Sequence, residues 1–513
     1  MWGAAMPDVP IPAHVRFRDE EWAKLTRFAG HDNGALRIGV VSGRRRLGKS
    51  YLLRALCEQL GGTYLLAVQE DSRPAAQARI VETIARAHGI PTEALRLGDD
   101  WAPILRLLLQ SQPGGGDTPP LVVLDEFPYL LRHSPELPGL LQSLYDETRY
   151  ESGAGRETLH GGIILCGSAL SVMHELLSGQ HALRGRATLD LRLAPLDFRA
   201  ARRFWGIEDL HTALLVDAVC GGIPGYQVLA EHDAPQSPAE FDTFATNGLL
   251  TPGHPLYSRT ETEYLLREDP RLDQRATYYP LLSAMVGGAT TPTEIGARIG
   301  KERSATAHAL EVLEAAGYAQ RDQDLLKKRS PSYLVPDPMI RFNQAVTIPQ
   351  TPLIDAGRYG RAWEQARPAF QSQVLGPHFE HLAREWTRRW APDEVSGLDF
   401  GWVGRTEVPD PAARTKHEAD VALLGPGESP RQAHRTIRLL GEAKATAAPR
   451  GIKDLERLEH IRDLLARQGH RTEGTVLALF SLHGFWPDLK ALTAHRDDVL
   501  LNGLPELYGR TPA

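Results

Sequence analysis

The sequence predicts an α/β protein: a parallel sheet first, then a run of helices, then a second and smaller α/β unit. Three observations predict it. A short apolar strand, Ile38, Val40 and Val41, runs into a glycine-bounded loop and then into a helix. A second strand of four consecutive apolar residues, Leu121 to Leu124, ends in two carboxylates, as expected of a strand buried on both faces of a parallel sheet. Towards the C-terminus, "KHEADVALLG" and "TIRLLGEAKAT" read as two further strands that carry acids and a lysine among apolar residues.

The totals set limits. A chain of 513 residues is too long for one core and predicts about three to four domains at roughly 100–200 residues each. A composition of 42% hydrophobic and 24% charged residues is that of a folded globular protein. No apolar run approaches the ~20 residues that cross a bilayer. The N-terminus lacks the basic start and apolar core of a secretory signal. Cys57, Cys166 and Cys220 are widely spaced, which predicts reduced thiols in a cytoplasm. A net charge of −6 excludes a protein that coats nucleic acid with an overall basic surface, so any such contact is local.

In "ALRIGVVSGRRRLGKSYLLRALCEQL", Leu52, Leu53, Leu56 and Leu60 recur at helical spacing after the strand. Between them lies Gly43-x-x-x-x-Gly48-Lys49-Ser50, the full Walker A spacing in its strand–loop–helix context. The glycines let backbone N–H groups turn inward around phosphates at a helix N-terminus that favours anions. The predicted nucleotide-binding stretch is Gly43, Arg44, Arg45, Arg46, Leu47, Gly48, Lys49, Ser50 and Tyr51. Lys49 reaches the β- and γ-phosphates of ATP and Ser50 ligates Mg²⁺. Main-chain amides make the cradle, so Arg44, Arg45 and Arg46 are expected to point outward and pair with surface acids.

"PPLVVLDEFPYLL" supplies the partner motif. Asp125 is expected to hold the shell of the metal and Glu126 to polarise the attacking water. A third strand, "GGIILCGSALSVM", ends at Gly167 and Ser168. Ser168 either senses the γ-phosphate or simply ends a strand. In "HALRGRATLDLRLAPLDF", Arg184 or Arg186 brings positive charge to the phosphates, from the same chain or a neighbouring one, or else lies on a solvated loop.

The middle of the chain is a run of helices. Thr291-Pro292-Thr293-Glu294 is a helix start: a threonine cap, proline at the first position, and glutamate returning from the third. That helix is predicted to end near Gly300, and a second to run from about Ser304 to Ala316 and stop at Gly317. Two short strands in "YAQRDQDLLKKRSPSYLVPD" complete a winged helix-turn-helix. The second helix carries His308, Glu311 and Glu314, and only Arg298, Lys301 and Arg303 form a modest basic patch. Recognition helices use basic or amide side chains, so DNA contact, packing between domains and protein contact all stay open.

In the C-terminal third, "VLGPHFEHLAREWTRRW" is a helix with Phe379, Leu382, Trp386 and Trp390 on one apolar stripe and Glu380 beside it. Asp420 lies on the first strand that follows; Glu442 and Lys444 are two apart on the next and share a face. A helix glutamate, a strand aspartate and Glu-x-Lys form the layout of PD-(D/E)xK nucleases. There, carboxylates hold Mg²⁺ that activates water, and the lysine adds charge beside the attacked phosphate. "RGIKDLERLEHIRDLLARQG" is an amphipathic helix whose Lys453 and Arg457 either approach a DNA backbone or lie on a solvated face.

The segments "VRFRDEEWAKL", "SGRRRLGKSYLL", "VVLDEFPYL", "ILCGSALSVM", "LRGRATLDLRLAPLDF" and "VCGGIPGYQVL" occur in this order. In them the chain resembles the archaeal-type predicted ATPases, a branch of the AAA+/STAND-like P-loop proteins. The resemblance implies a P-loop NTPase parallel sheet with a helical lid, a winged helix-turn-helix and a C-terminal restriction-endonuclease-like α/β domain. These map to residues 14–205, 206–275, 276–345 and 346–513. It also implies roles for Arg18 and Glu21 ahead of the loop, and for Gly222 and Pro224 in the lid near the nucleotide base. In "GPHFEHLAREW", "HEADVALL" and "LLGEAKAT" the last domain resembles the nuclease-like domain that commonly ends members of that family. Two readings stay open: an ATPase coupled to a nuclease-like domain that acts on DNA, or a nucleotide-dependent switch whose nuclease fold cuts nothing. A transcription regulator that uses the winged helix is disfavoured by the acidic second helix. The expected cofactors are ATP and Mg²⁺, and the expected partners are DNA, a protein or a second copy of the chain, with no membrane.

Overall fold

A computed structural model describes residues 9–69, 71–88, 92, 100–110, 119–150, 159–272, 275–328, 331–393 and 401–509. The chain divides into two compact units. One comprises Met1–Pro195 with Arg267–Asp273, the other Leu196–Leu266 with Gln274–Ala513.

The first unit is a five-stranded parallel sheet flanked by helices. Its strands are β1 (Leu36–Ser42), β2 (Thr63–Leu66), β3 (Leu121–Asp125), β4 (Gly161–Gly167) and β5 (Ala187–Arg192), in the order β2-β3-β4-β1-β5. All residues of β1, β3 and β4 are buried, which explains why these strands read as unbroken apolar runs rather than alternating ones. β4 is inserted between the strand that precedes the glycine loop and the strand that ends in Asp125. Register places Ser42 opposite Gly167 and Leu124 opposite Leu165. The loop after β1, Ser168 after β4 and Glu126 after β3 therefore leave the sheet along one carboxyl edge, where open α/β sheets place ligands. Below that edge Ile38, Val40, Val122, Leu124, Ile163 and Leu165 pack with Trp101, Phe127 and Leu141 in one core.

The second unit begins as helices. Asp209 caps Leu210–Cys220, and Ser237 caps Pro238–Phe244. Gly222 sits where a Cβ would lie 1.8 Å from the Leu196 carbonyl oxygen, so only glycine fits. Helix Pro292–Ile299 has the capping box read from sequence, with Thr291 and Glu294 bonded reciprocally and Gly300 left-handed at its end. Helix Arg303–Ala315 follows, and then the antiparallel strands β6 (Gln320–Asp322) and β7 (Ser332–Leu334).

The C-terminal part is a mixed sheet of order β12-β11-β10-β9-β8. Its strands are β8 (Val403–Asp410), β9 (Thr415–Leu424), β10 (Ile437–Lys444), β11 (Val476–Ser481) and β12 (Val499–Asn502). The first three form an antiparallel meander, and β11 then joins β10 in parallel through the crossover helix Ile452–Arg467. Leu477 and Leu479 pack with Leu455, Leu458 and Ile461 of that helix. Phe480, one residue on and thus on the opposite face, meets Trp386 of helix Gly376–Arg389 edge-on at 5.5 Å. The sheet is sandwiched between the two helices.

The tip between β6 and β7 docks on this sheet. Leu325 belongs to the same core as Val408 and Leu455. Its N–H donates to the Arg405 carbonyl at 3.0 Å, and its carbonyl accepts from Arg431 N–H at 2.7 Å. Asp322 pairs with Arg405, and Asp324 accepts from Thr406 and from the Glu407 N–H. The hairpin thus packs on the C-terminal sheet of the same chain.

Candidate functional site

The loop after β1 has a shape that few side chains tolerate. Gly43, Arg46 and Gly48 have φ of 156°, 66° and 88°. A Cβ on Gly43 would lie 2.9 Å from the Leu193 carbonyl oxygen. Lys49 opens helix Lys49–Leu60 and is buried; its ammonium folds back to donate to the carbonyls of Gly43 at 2.7 Å and Arg44 at 3.0 Å. A buried cation held by neutral carbonyls is poised for an anion, because trading those partners for phosphate oxygens gains charge-assisted bonds. Arg18 braces the loop from behind. It is buried, pairs with Glu21 at 2.8 Å, and donates to the carbonyls of Leu47 at 3.2 Å and Ala194 at 3.0 Å.

The carboxylates stand beside this loop. Asp125 is fully buried and its Oδ1 accepts the Glu126 N–H at 2.9 Å. Glu126 has φ 55°, a conformation that costs a non-glycine residue about 1–3 kcal/mol and gathers at functional sites. Ser168 donates to Glu126 Oε2 at 3.3 Å. Burial pushes the Glu126 carboxyl up; the charge of Lys49 pulls it down and that of Asp125 raises it again. Lys49, Asp125, Glu126 and Ser168 are thus brought together.

Other residues are placed differently. Tyr51 is exposed and its ring packs edge-on against His14. Arg186 immediately precedes β5, whose Ala187 is level with Ile38. That is the amino edge of the sheet, about 17 Å from the loop at about 3.3 Å per residue. There Arg186 forms a two-pronged pair with Asp146 at 3.0 and 2.8 Å, and Arg184 donates to the Gly179 carbonyl at 2.6 Å. The structure does not gather either arginine with Lys49. Pro224 opens helix Pro224–Leu229 in the second unit. For Arg45, the expectation that the loop arginines pair with surface acids needs correction. Arg45 reaches Glu268 at 3.1 Å, and the Glu268 side chain is only 8% exposed. Burial pushes that carboxyl up to about 7 against the charges of Arg45 and Lys49.

Two residues at this site were missed in the sequence. Glu268 lies 223 positions from its partner, so no local pattern betrays it. Tyr64, on β2, donates its hydroxyl to Asp125 Oδ2. Its ring lies under the Arg54 guanidinium at 4.3 Å.

A second cluster lies in the C-terminal sheet. Thr406 faces Ala419 while Gly404 faces Ala422, so β9 carries one extra residue, a bulge that redirects Asp420. The Asp420 carboxylate accepts the Ala443 N–H at 2.9 Å and the Lys444 ammonium at 3.2 Å. Lys444 also pairs with Glu442 at 3.4 Å. Burial pulls the Lys444 ammonium down, but Asp420 and Glu442 outweigh it and hold the group above its ordinary range. Arg457 turns in from the crossover helix to pair with Glu442 and to donate to the Glu418 carbonyl at 3.1 Å. Glu442 Oε2 is buried and has no hydrogen-bond partner among the described residues. The Glu380 carboxyl is pushed up from 4.5 to about 7 by burial and then by the charge of Asp420.

That shift has a measurable sign. The folded protein holds the Glu380 proton more tightly than the unfolded chain, so this contribution to stability is full below pH 4.5 and is lost as pH rises through about 7. In EDTA, Glu380→Gln should melt with wild type at about pH 4 and be more stable by roughly 1–3 kcal/mol at about pH 8. Thermal melts at the two pH values check it, and an unchanged difference refutes it.

No family model matches the chain. An uncharacterized protein of Methanocaldococcus jannaschii is 24% identical over 376 residues, 72% of this chain and 76% of that one. Among solved structures, the chain is similar to a Walker-type ATPase of Pyrococcus abyssi, at 19% identity over 64% of this chain and 96% of that one, with a TM-score of 0.47. It is also similar to the ORC2 protein of Aeropyrum pernix in its ADPNP–ADP complexes, at 14% identity over 71% and 96%, with a TM-score of 0.39. No described helix is long and apolar enough to cross a membrane.

Proposed function

We propose that the protein binds and hydrolyses ATP with Mg²⁺, and that its C-terminal sheet is a metal-dependent nuclease-like domain acting on DNA. The observation that carries the first half is the convergence of a buried lysine, a buried aspartate, a strained glutamate and a serine at the carboxyl edge of three adjacent strands. The loop amides and Lys49 bind the triphosphate. Ser50 and Asp125 would hold Mg²⁺, and Tyr64 must release Asp125 for that. When bound, the ion neutralises charge on the β- and γ-phosphates. Glu126 takes the proton of the attacking water and Ser168 fixes its carboxylate. Since Arg186 is tied to Asp146 at the far edge, a part in catalysis would be played on a neighbouring chain's nucleotide. Pro224 is assigned to the lid.

The second half rests on Asp420, Glu442 and Lys444 meeting on a helix–meander–helix–strand layout, with Glu380 near enough to feel the charges of Asp420 and Lys444. The orphaned, buried Glu442 Oε2 fits a metal ligand. Asp420, Glu442 and Glu380 would hold the ion, which supplies activated water and charge at the scissile phosphate; Lys444 steadies the developing negative charge. A non-cleaving switch is the second reading. It is favoured by one observation: Arg457 already neutralises Glu442.

Lys49→Ala tests the core of this reading. Losing a buried charge contact costs about 2–5 kcal/mol, so ATP affinity should fall by at least about 30-fold in a fluorescent-nucleotide titration. Undiminished binding would remove the assignment.

A further inference from the structure

The C-terminal sheet carries a third set of ligating groups that neither reading uses. Asp410 ends β8, and His417 lies on β9 opposite Val408. Asp410 and Val408 are two apart, so all three side chains share one face of the hairpin. That is the face on which the helix Ile452–Arg467 packs, since Val408 joins Leu455 and Leu458 in its core. His460 comes down from that helix. One ligand atom from each of Asp410, His417 and His460 lies within 4.8 Å of the others. Asp410 Oδ2 is 2.8 Å from His460 Nε2 and 3.7 Å from His417 Nε2.

The details fit coordination better than an ordinary surface ion pair. Asp410 is buried, and its other oxygen accepts the N–H groups of Ala412 and Ala413, both at 3.1 Å. The turn of the hairpin thus fixes the carboxylate and turns Oδ2 to the imidazoles. His417 Nε2 is buried without a hydrogen-bond partner among the described residues, an expensive state for a polar atom. Four ligands at 2.0–2.1 Å around a tetrahedral ion stand about 3.3 Å apart, and the two carboxylate–imidazole distances bracket that spacing. Two imidazoles and one carboxylate suit Zn²⁺ and its transition-metal neighbours, whereas Mg²⁺ prefers oxygen ligands alone. The His460 side chain is 44% exposed, which leaves a fourth position for water or an incoming ligand.

We infer that Asp410, His417 and His460 form a binding site for one Zn²⁺-class divalent ion, separate from the Asp420–Glu442 cluster and clamping the β8–β9 hairpin to the helix Ile452–Arg467. The test uses the full chain, stripped with EDTA and titrated with Co²⁺. One equivalent should bind with a visible d–d band that excess Mg²⁺ does not remove and Zn²⁺ does. His417→Ala and His460→Gln should each weaken that binding by about 100-fold or more. Asp420→Asn should leave the band in place. Metal-free melting curves of the variants show whether they fold, and His460→Gln alters a side chain exposed enough to be tolerated. Absence of the band in wild type, or the same band in both folded histidine variants, overturns the site.

Discussion

Glu126→Gln is expected to leave ATP bound and to lower its hydrolysis by about 10²–10⁴-fold, the usual worth of a positioned general base. The substitution suits the site because it changes little else. Glutamine has the same shape, still accepts from Ser168, and occupies the same left-handed backbone position after β3. What it lacks is a carboxylate able to take a proton. Burial and Asp125 already raise the proton affinity of Glu126, the direction a base needs in order to work near neutral pH. Nucleotide titration should give an affinity close to wild type, while phosphate release falls to background. Turnover at the wild-type rate would show that another group manages the water, and the roles of Ser168 and Asp125 would have to be redrawn with it.

Asp420→Asn is expected to abolish Mg²⁺- or Mn²⁺-dependent nicking of plasmid DNA, with a loss of about 10³-fold or more, since charge held on the metal is what the site contributes. Asparagine is preferable to alanine here. Alanine would strand the buried Ala443 N–H at a cost of about 1–3 kcal/mol, whereas the asparagine oxygen still accepts it. Lys444→Ala should act in the same direction. Two outcomes count against cleavage by this cluster. Wild type that cuts nothing with any divalent ion favours the non-cleaving reading, in which Arg457 holds Glu442 permanently. Cutting that survives Asp420→Asn assigns the chemistry elsewhere.

What could be read in the sequence was local. The glycine loop, the run that ends at Asp125 and the capping box at Thr291 are set by residues within a few positions of one another, and the structure reproduces each of these elements. The acidic strands with Lys444 were legible because alternation fixes which side chains share a face. What escaped depends on contacts far along the chain. Tyr64 meets Asp125 across 61 positions, Glu268 meets Arg45 across 223, and His460 meets Asp410 across 50. The location of Arg186 was hidden for another reason. Its distance from the loop follows from which end of β5 it precedes, and that requires the strand pairing.

The socket that receives Leu325 matters to anyone dissecting the chain. A fragment cut at the apparent border near residue 346 would remove a leucine from the apolar interior of the C-terminal sheet. Gly404, whose missing Cβ makes room for that leucine, would then face solvent, and Arg405 would lose Asp322. A C-terminal fragment that keeps this packing therefore starts upstream of β6, and expression trials that begin later would report the behaviour of a core that lacks Leu325.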